Sequence, residues 1–290
     1  MTRAAESLHI AQPALSQQVT LLEQELGIKL LNRSPRGIFS TSEGELLYRH
    51  AKTILRQVDN TRTLLSKKEG AITGNVSVGM PSSTARILAL RLMKMVRERY
   101  PSIVLEIVDV PSADLTSLVT HGRVDFSLVP DPQKSKDMAF IPVLREELYL
   151  MTHPGVQLPR GEVPLEKIVS LPLIMPSLPN TVRSKVENAF LQAHLTYNLY
   201  GEASTSAILI PAVKAGLAAT VLTYAAGHEE IQRKEVAMHR IGIGLSREMC
   251  LCTSDTLPVS PATTTVIELC RKLLKELVDT KIWKGIQLLF

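Results

Sequence analysis

The chain has 290 residues, a formal net charge of +5 and an isoelectric point of about 9.1. This length allows two or three domains with cores of their own, and a mildly basic balance is compatible with a nucleic-acid partner without identifying one. The N-terminus lacks a secretory signal, and no apolar run approaches the roughly 20 residues of a membrane span. We therefore expect a cytoplasmic protein with no membrane partner.

The three cysteines indicate neither a metal site nor a cofactor. Cys250, Cys252 and Cys270 form no C-x-x-C pair and have no histidine partners at metal-binding spacing. Cys250 and Cys252 alternate within an apolar, strand-like run, where free cysteine is usually a small core residue. A reducing compartment, no metal and no cofactor are the simplest interpretation.

The segment from Thr2 to Gly44 predicts a helix-turn-helix followed by a wing. It reads TRAAESLHIAQPALSQQVTLLEQELGIKLLNRSPRGIFSTSEG. Pro13 suits the first position of the second helix, and Gly27 suits its end. Between them, an apolar stripe is expected to face inward, with spacings of four, three and four: Leu15, Val19, Leu22 and Leu26.

The opposite face of this second helix carries amide and hydroxyl groups, namely Gln12, Ser16, Gln17 and Thr20. Glutamine can pair bidentately with adenine, and serine or threonine can donate to or accept from several base edges. A basic tip with Arg33 and Arg36 follows, which suits the DNA backbone or the minor groove. The alternatives are a solvated helix face and a solubilising turn, but the two features together favour DNA binding.

These residues resemble the DNA-binding signature of the LysR-type transcriptional regulators. The run AAESLHIAQPALSQQVTLLEQELGIKLLNR, then RG, then TSEG carries the resemblance, and AQPALSQQ is similar to the nitrogen-assimilation-control branch. The resemblance implies a promoter-binding homodimer or homotetramer that responds to a small molecule. It also implies DNA contacts, in the second helix and the wing, by Gln12, Pro13, Ala14, Ser16, Gln17, Arg36, Ser40 and Thr41.

The family usually has a further helix before the TRAAE segment, and the chain as given begins at Met1 without it. We therefore expect an N-terminally shortened form whose apolar stripe is partly exposed. Apolar surface left in water costs about 25 cal/mol per Å², so several kcal/mol are at stake. Weak DNA binding is the expected consequence.

A long helix is predicted after the wing, from Glu43 to about Lys68. Apolar and small residues recur at alternating spacings of four and three, at Leu47, Ala51, Ile54, Val58, Thr61 and Leu65. That heptad pattern is typical of a coiled-coil pair, which holds two recognition helices at a set separation. A single helix packed on its own domain is the alternative. Gly70 to Gly74 then suggests a hinge-like linker.

From Asn75 onward, strands and helices alternate as in a parallel sheet with helices on its faces. Two β-α-β-α-β sets are predicted, one from Val76 to Val129 and one from Leu173 to Leu222. Strands at Leu148–Met151 and Met249–Cys252 are expected to join them into two lobes with a cleft between. The family resemblance implies the same two-lobed fold, similar to a periplasmic binding protein.

Ligands of such sheets bind at the carboxyl ends of strands, beside helix N-termini that suit anions. Each hydroxyl found there is by itself more typical of a helix cap. As a set around one cleft, the candidates for effector binding are Ser82, Ser83, Thr84, Ser112, Asp131, Ser177, Ser204, Thr205 and Thr223. An organic acid or an amino-acid-like metabolite is the expected effector, although the nitrogen-control resemblance also allows a regulator that needs none.

The predicted fold class is α+β multi-domain, with a winged helix-turn-helix, a long linker helix and a two-lobed α/β effector domain. The predicted boundaries are residues 1–42, 43–70 and 75–290; lobe I takes about 75–146 plus 253–290 and lobe II about 147–252. The predicted function is small-molecule-responsive transcription regulation, not catalysis. The alternatives are a cytoplasmic solute-binding protein and a cofactor-free α/β protein without a DNA function.

Overall fold

The computed structural model describes residues 1–34, 37–65, 72–133 and 135–290. The chain divides into two compact units, Met1–Asp59 and Asn60–Phe290. This division falls inside the predicted linker helix, so that helix is shared between the units. The predicted boundaries between 42 and 43 and around 70–75 stay predictions, because residues 66–71 lie outside the described ranges.

The N-terminal unit has the predicted order of two helices, a hairpin and a long helix. Its elements are α1 (Thr2–Ser7), α2 (Gln12–Leu26), β1 (Leu31–Ser34), β2 (Gly37–Ser40) and α3 (Ser42–Leu65). Pro13 lies in the first turn of α2, and Gly27 ends that helix in a left-handed conformation with φ of 68°. The predicted start and stop of the second helix are thus confirmed, since proline suits a helix start and glycine adopts positive φ without strain.

The apolar stripe of α2 is only partly covered. Leu15 and Val19 are half-buried, whereas Leu22 and Leu26 are exposed. The prediction of an inward-facing stripe is therefore wrong for Leu22 and Leu26, whereas the expectation that the stripe is partly exposed is confirmed. Within the described residues, α1 is six residues long and buries only Ala5, too little apolar surface to cover four turns of α2.

The turn from β2 into α3 depends on Thr41 and Gly44. The Thr41 hydroxyl accepts a hydrogen bond from the Gly44 amide at 3.0 Å and donates one to the Lys29 carbonyl at 2.7 Å. It therefore caps α3 and ties it to the loop before β1. A Cβ at position 44 would lie 2.1 Å from the Leu30 carbonyl oxygen, so only glycine lets the two backbones approach this closely.

The C-terminal unit contains the predicted alternation of strands and helices. Its elements are β3 (Gly74–Met80), α4 (Ser82–Arg99), β4 (Ile103–Asp109), α5 (Leu115–Thr120), β5 (Phe126–Pro130), β6 (Met138–Thr152), α6 (Leu165–Ile168), β7 (Pro172–Pro176), α7 (Thr181–Gln192), β8 (Asn198–Ala203), α8 (Ser206–Lys214), β9 (Thr220–Thr223), α9 (His228–Gln232), β10 (Ala237–Arg240), β11 (Ser246–Ser254), α10 (Pro261–Asp279) and β12 (Ile286–Leu288). A short 3-10 helix, Tyr224–Gly227, precedes α9.

Both predicted β-α-β-α-β sets are confirmed, with ends shifted by a few residues. The sequence pattern did not predict α6, α9, α10, β10 or β12, and of β6 it predicted only Leu148–Met151. The predicted strand at Leu148–Met151 belongs to a 15-residue strand. The first half of β6 was missed because its alternation is interrupted by Pro142 and by the charged run Arg145–Glu147.

Strand β6 runs through both lobes. In lobe I, β3 pairs in parallel with β4 and β5, and β5 continues through the antiparallel strands β11 and β6 to β12. In lobe II, the second half of β6 pairs with β9 and β10, and β7 pairs in parallel with β8. At Glu147–Leu148, called the crossing below, the neighbours of β6 change from those of lobe I to those of lobe II.

Each lobe has a hydrophobic core of its own. The lobe I core joins α4 and α10 to the sheet and includes Leu88, Phe126 and Leu273. The lobe II cores lie around Val186 and Phe190 of α7 and around Ile210 of α8. Two separately packed bodies joined through extended strands form the architecture in which a cleft can open and close.

Across the ranges that the structure describes, none of the helices combines the length and the apolarity needed to cross a membrane.

Candidate functional site

The N-terminal half of α2 presents the predicted polar surface to solvent. Gln12, Pro13, Ala14 and Gln17 are exposed, and Ser16 is half-buried. The Ser16 carbonyl accepts a hydrogen bond from the Thr20 hydroxyl at 2.9 Å, which turns that hydroxyl back onto the helix. Glutamines and small residues at the start of α2 therefore form an uncharged surface that can approach base edges.

The hairpin β1–β2 forms the predicted wing. Arg33 is exposed and pairs in register with Ile38, whereas the predicted contacts at the tip, including Arg36, lie outside the described residues. Ser40 is exposed and donates its hydroxyl to the Glu45 carboxylate. Thr41 is half-buried, and both hydrogen bonds of its hydroxyl lie inside the unit, so its role in this structure is capping.

A buried carboxylate holds the wing against α2. Glu23 is 7% exposed and accepts hydrogen bonds from the backbone amides of Leu30 and Leu31 at 2.9 and 3.1 Å and from Lys29 Nζ at 2.8 Å. The Lys29 ammonium and the two amides favour the charged form, which lowers the pKa of Glu23 from 4.5 to about 2. The position of the wing relative to the recognition helix therefore depends on this carboxylate.

The two lobes of the C-terminal unit enclose a cleft at the carboxyl ends of their strands. Five of the nine predicted effector residues line it, namely Ser82, Ser83, Ser112, Ser204 and Thr223. They come from both lobes, after β3, β4, β8 and at the end of β9. The structure thus brings the loops of two sheets together as the strand-end argument requires. That any of these residues contacts an effector stays a prediction.

The other four candidates do not line this cavity. Thr84 lies in the first turn of α4 and is fully buried. Asp131 forms an ion pair with Lys185 at 3.3 Å and accepts from the Glu248 amide at 3.0 Å. The Ser177 amide donates to the Ala203 carbonyl at 3.1 Å, and the Thr205 hydroxyl caps α8 by accepting from the Ala207 amide at 2.9 Å.

Three polar residues of the cleft were missed by sequence reasoning, namely Asn180, Ser206 and Arg247. Asn180 lies between β7 and α7 and caps that helix. It therefore occupies the same kind of position, between a strand and a helix, as the predicted serines and threonines. Ser206 is one residue beyond the predicted Thr205. Arg247 lies in β11, and no local pattern distinguishes it from the other charges of that segment.

Arg247 is held in the cleft wall by a buried ion pair. The Nε of Arg247 donates to Glu146 Oε2 at 2.7 Å, and a terminal nitrogen of the same guanidinium donates to the Ser83 hydroxyl at 3.1 Å. Glu146 is 1% exposed, and its other oxygen accepts from the Trp283 indole at 3.2 Å. The pair is therefore neutral as a whole and places a rigid guanidinium beside Ser83.

Two buried hydroxyls line the cleft without a partner in the described part of the chain. Ser206 is 5% and Thr223 1% exposed, and neither Ser206 Oγ nor Thr223 Oγ1 makes a hydrogen bond there. Unpaired buried hydroxyls are costly, about 1–3 kcal/mol each, and call for an explanation at the site. Both lobe II hydroxyls are available to a polar ligand.

The cleft is narrow in this structure, with a cavity volume of about 40 Å³. Ligand pockets usually measure about 300–1,000 Å³, so this volume accommodates a few water molecules and no metabolite. Ion pairs join the segments on its two sides, Lys185 with Asp131 at 3.3 Å and Arg86 with Glu230 at 2.7 Å. Ligand entry therefore requires the lobes to separate.

Within the described residues, no group of three or more histidine, cysteine or acidic side chains is arranged to hold a metal ion.

Replacing Glu23 with Gln is expected to loosen the wing. Because the folded-state pKa of Glu23 is depressed, its contribution is complete above about 4.5 and is lost as the pH falls towards about 2. Hydrogen-exchange protection of the Ile28–Ser34 peptide should therefore decline over that range in the unchanged chain. In E23Q it should be low at neutral pH and vary little. The exposed Glu25→Gln on the same helix is the control; equal protection in E23Q and E25Q would contradict the assignment.

Comparisons with known proteins match both units. Residues 1–45 match the model of the bacterial regulatory helix-turn-helix protein, lysR family, and residues 69–275 match the LysR substrate binding domain. The nitrogen assimilation regulatory protein nac of Klebsiella aerogenes is 32% identical over 276 residues, which cover 94% of this chain and 90% of that protein. The hydrogen peroxide-inducible genes activator of Haemophilus influenzae is 26% identical, over 81% of this chain and 78% of that protein.

A solved structure has the same fold. A full-length OxyR variant from Pseudomonas aeruginosa superposes with a TM-score of 0.68 at 20% identity, covering 99% of this chain and 92% of that chain. Together with the helix-turn-helix and the two-lobed unit, these matches settle the class of the protein. The chain belongs to the LysR family of DNA-binding transcriptional regulators that respond to small molecules.

Proposed function

We propose that the chain regulates transcription by reading promoter DNA with α2 and by binding a small carboxylate-bearing metabolite in the cleft. The observation that carries the effector proposal is the pair of buried hydroxyls of Ser206 and Thr223, which have no partner within the described residues and line the same cleft as Arg247. Gln12, Pro13, Ala14, Ser16 and Gln17 are the proposed DNA contacts on α2, with Ser40 and Arg36 in the wing and Thr41 as the cap behind it.

The chemistry of the cleft favours an organic acid. Its polar groups are mainly hydroxyls, and the N-termini of α4 and α8 add backbone N–H groups with a partial positive charge. The guanidinium of Arg247 is already neutralised by Glu146, which favours a small, singly or doubly charged ligand with hydroxyl or carboxylate oxygens. Such a ligand binds both lobes and stabilises one lobe angle over another, which is the requirement for control of DNA binding.

Homodimerisation is proposed from exposed apolar side chains on the two outer edges of the C-terminal unit. Leu90 on α4 is 78% exposed and Val104 on the edge strand β4 is 66% exposed. On lobe II, the edge strand β8 exposes Leu199 and Tyr200. Unpaired edges with apolar neighbours are suited to burial against a second copy. On α3, Ile54 and Val58 of the predicted heptad seam are exposed as well, which supports pairing through that helix.

Thiol-based sensing is not part of this proposal. Burial raises the pKa of Cys250 to about 11 and that of Cys252 and Cys270 to about 12. All three are buried free thiols and are protonated at neutral pH, so they lack the thiolate that reacts with oxidants. The family comprises transcriptional regulators and not enzymes, and we propose no catalytic activity and a cytoplasmic location, where promoter DNA is found.

The DNA-binding proposal predicts that Gln17→Ala weakens specific binding while Gln24→Ala does not. Both glutamines are exposed on α2, but only Gln17 lies on the leading half. Loss of a bidentate contact to a base costs about 1–3 kcal/mol, or about tenfold to a hundredfold in affinity. Footprinting on the DNA upstream of the chain's own gene, over a salt series, measures both. Equal loss in the two variants, or no protection by the folded chain, would count against the assignment.

The effector proposal predicts that Thr223→Val weakens carboxylate binding about tenfold, because the hydroxyl contact is lost while the shape is kept. Thr220→Val is the control, since Thr220 is equally buried on the same strand and has no partner in the described part of the chain, but it does not line the cleft. The binding of succinate, glutamate and citrate is measured by the hydrogen exchange of residues 204–210. Equal affinities of T223V and T220V would rule out the assigned contact.

Dimerisation predicts that Leu90→Glu shifts the chain towards the monomer, because a charge cannot be buried in an apolar interface without a large cost. Sedimentation at several concentrations measures the shift. Val259→Glu in the loop before α10, where Val259 is 40% exposed, adds the same charge outside the proposed interface and should leave the mass unchanged. An unaltered mass of L90E would remove this surface from the proposal.

A further inference from the structure

A second cavity lies at the crossing, where β6 passes from lobe I into lobe II. Its volume is about 360 Å³, within the usual range for ligand sites, and a cavity of about 110 Å³ adjoins it. The two share Glu147, Arg240 and Gly244. The remaining walls of the larger cavity are Arg145, Tyr149, Ser246, Gly285, Ile286 and Gln287. We call it the back-face cavity.

The back-face cavity lies on the opposite side of the strands from the cleft. Arg247 pairs in register with Glu146, and Ser246 pairs with Glu147. Successive residues of a strand point to opposite faces, and residues in register point to the same face. Arg247 lines the cleft while Ser246 and Glu147 line the back-face cavity. A ligand in one site therefore has no wall residue in common with a ligand in the other.

The walls of the back-face cavity belong to both lobes. Ile286 packs against the lobe I core, whereas Arg240 belongs to β10, which pairs with the lobe II half of β6. Adjacent residues of β6 hold the two walls, because the Glu147 amide donates to the Gly285 carbonyl and the Leu148 amide to the Leu245 carbonyl, each at 2.8 Å. The cavity thus spans the crossing, where β6 passes from one lobe to the other.

Among the residues that line the back-face cavity, two are arginines and one is a carboxylate. The Glu147 carboxylate accepts from Arg240 at 2.9 Å and from the Tyr149 hydroxyl at 2.5 Å. Arg145 is 49% exposed, and its ion pair with Glu248 is long at 3.4 Å. Burial beside Glu147 raises the pKa of Tyr149, so its phenol stays a neutral donor. The single phenol proton of Tyr149 is already donated to Glu147, so the remaining donors of the wall are two guanidiniums, a serine hydroxyl and a glutamine amide.

We propose that the back-face cavity is a second ligand site, which takes a small carboxylate-bearing metabolite between Arg145, Arg240 and Gln287. Planar guanidinium groups match a carboxylate in a bidentate arrangement, and the carboxylate replaces the long contact to Glu248. Because the walls come from both lobes, a bound ligand biases the lobe angle independently of the cleft. This inference does not depend on the effector proposed for the cleft.

The single tryptophan of the chain is a reporter for this site. Trp283 is 2% exposed, lies two residues before Gly285, and donates to Glu146, the neighbour of Glu147. Titrating the full-length chain with succinate or citrate, against sodium chloride at matched ionic strength, is expected to give a saturable change in its fluorescence. Binding of this kind should have a dissociation constant on the order of 1 mM or below, corresponding to about 4 kcal/mol.

Three variants test whether the fluorescence change comes from ligand bound in the back-face cavity. Arg145→Gln removes the exposed guanidinium, and Gln287→Glu adds a repelling carboxylate of nearly the same shape at an exposed position. Each should weaken the response about tenfold or more, since a charge-assisted contact is lost or opposed. Arg233→Gln is the control, because Arg233 is also exposed and also pairs with a glutamate at 3.4 Å but lies outside the cavity. Its response should match that of the unchanged chain.

Thr223→Val separates the two sites. It should leave the tryptophan response intact if the back-face cavity binds the probe. A response that survives R145Q and Q287E but is lost in T223V would overturn the inference and leave the cleft proposal standing. Absence of any saturable response to both probes would overturn it as well, and the hydrogen-exchange test of the cleft would be unaffected.

Discussion

The buried ion pair of Glu146 and Arg247 is the interaction on which the effector-binding unit depends. It joins β6 to β11 beside the crossing, orients Arg247 towards Ser83 at the start of α4, and receives the indole of Trp283 from the segment before β12. Both partners are nearly inaccessible to solvent. Removing one partner of such a pair costs about 3–5 kcal/mol, because the other charge is left unpaired in the interior.

Strands β6 and β11, which hold this ion pair, lie between the cleft and the back-face cavity. Even-numbered residues of β6 around the crossing are buried, as Leu144, Glu146 and Leu148 show, while Arg145 and Glu147 face the other side. Strand β11 borders both sites, with Arg247 in the cleft and Ser246 in the back-face cavity, and the two sites share no residue. A rotation of one lobe changes both sites, because β6 pairs with strands of both lobes. The narrow cleft and its flanking ion pairs describe a closed arrangement that a ligand must compete with or reinforce.

The N-terminal unit is held by polar contacts more than by a core. Ala5 and Leu30 are its fully buried apolar residues within the described ranges, and exposed leucines remain on α2. The Glu23 carboxylate and the Thr41 hydroxyl instead tie the loop around Leu30 to both neighbouring helices. Gly44 permits that loop to approach α3 within backbone contact. Small domains with little buried apolar surface depend heavily on such contacts.

The sequence by itself determined the helix-turn-helix, the wing, the long helix and the alternation of strands and helices, because these follow from local periodicity, from Pro13 and from Gly27. It also placed five of its nine candidate residues in the cleft, since strand ends are local features. Tertiary structure decided the rest. Arg247 and Glu146 are 101 residues apart, so their pairing depends on the antiparallel register of β11 and β6, which no local pattern encodes. The same holds for the hydroxyls. Those of Ser206 in α8 and Thr223 in β9 are buried and have no hydrogen-bond partner among the described residues, whereas the hydroxyl of Thr205 caps α8.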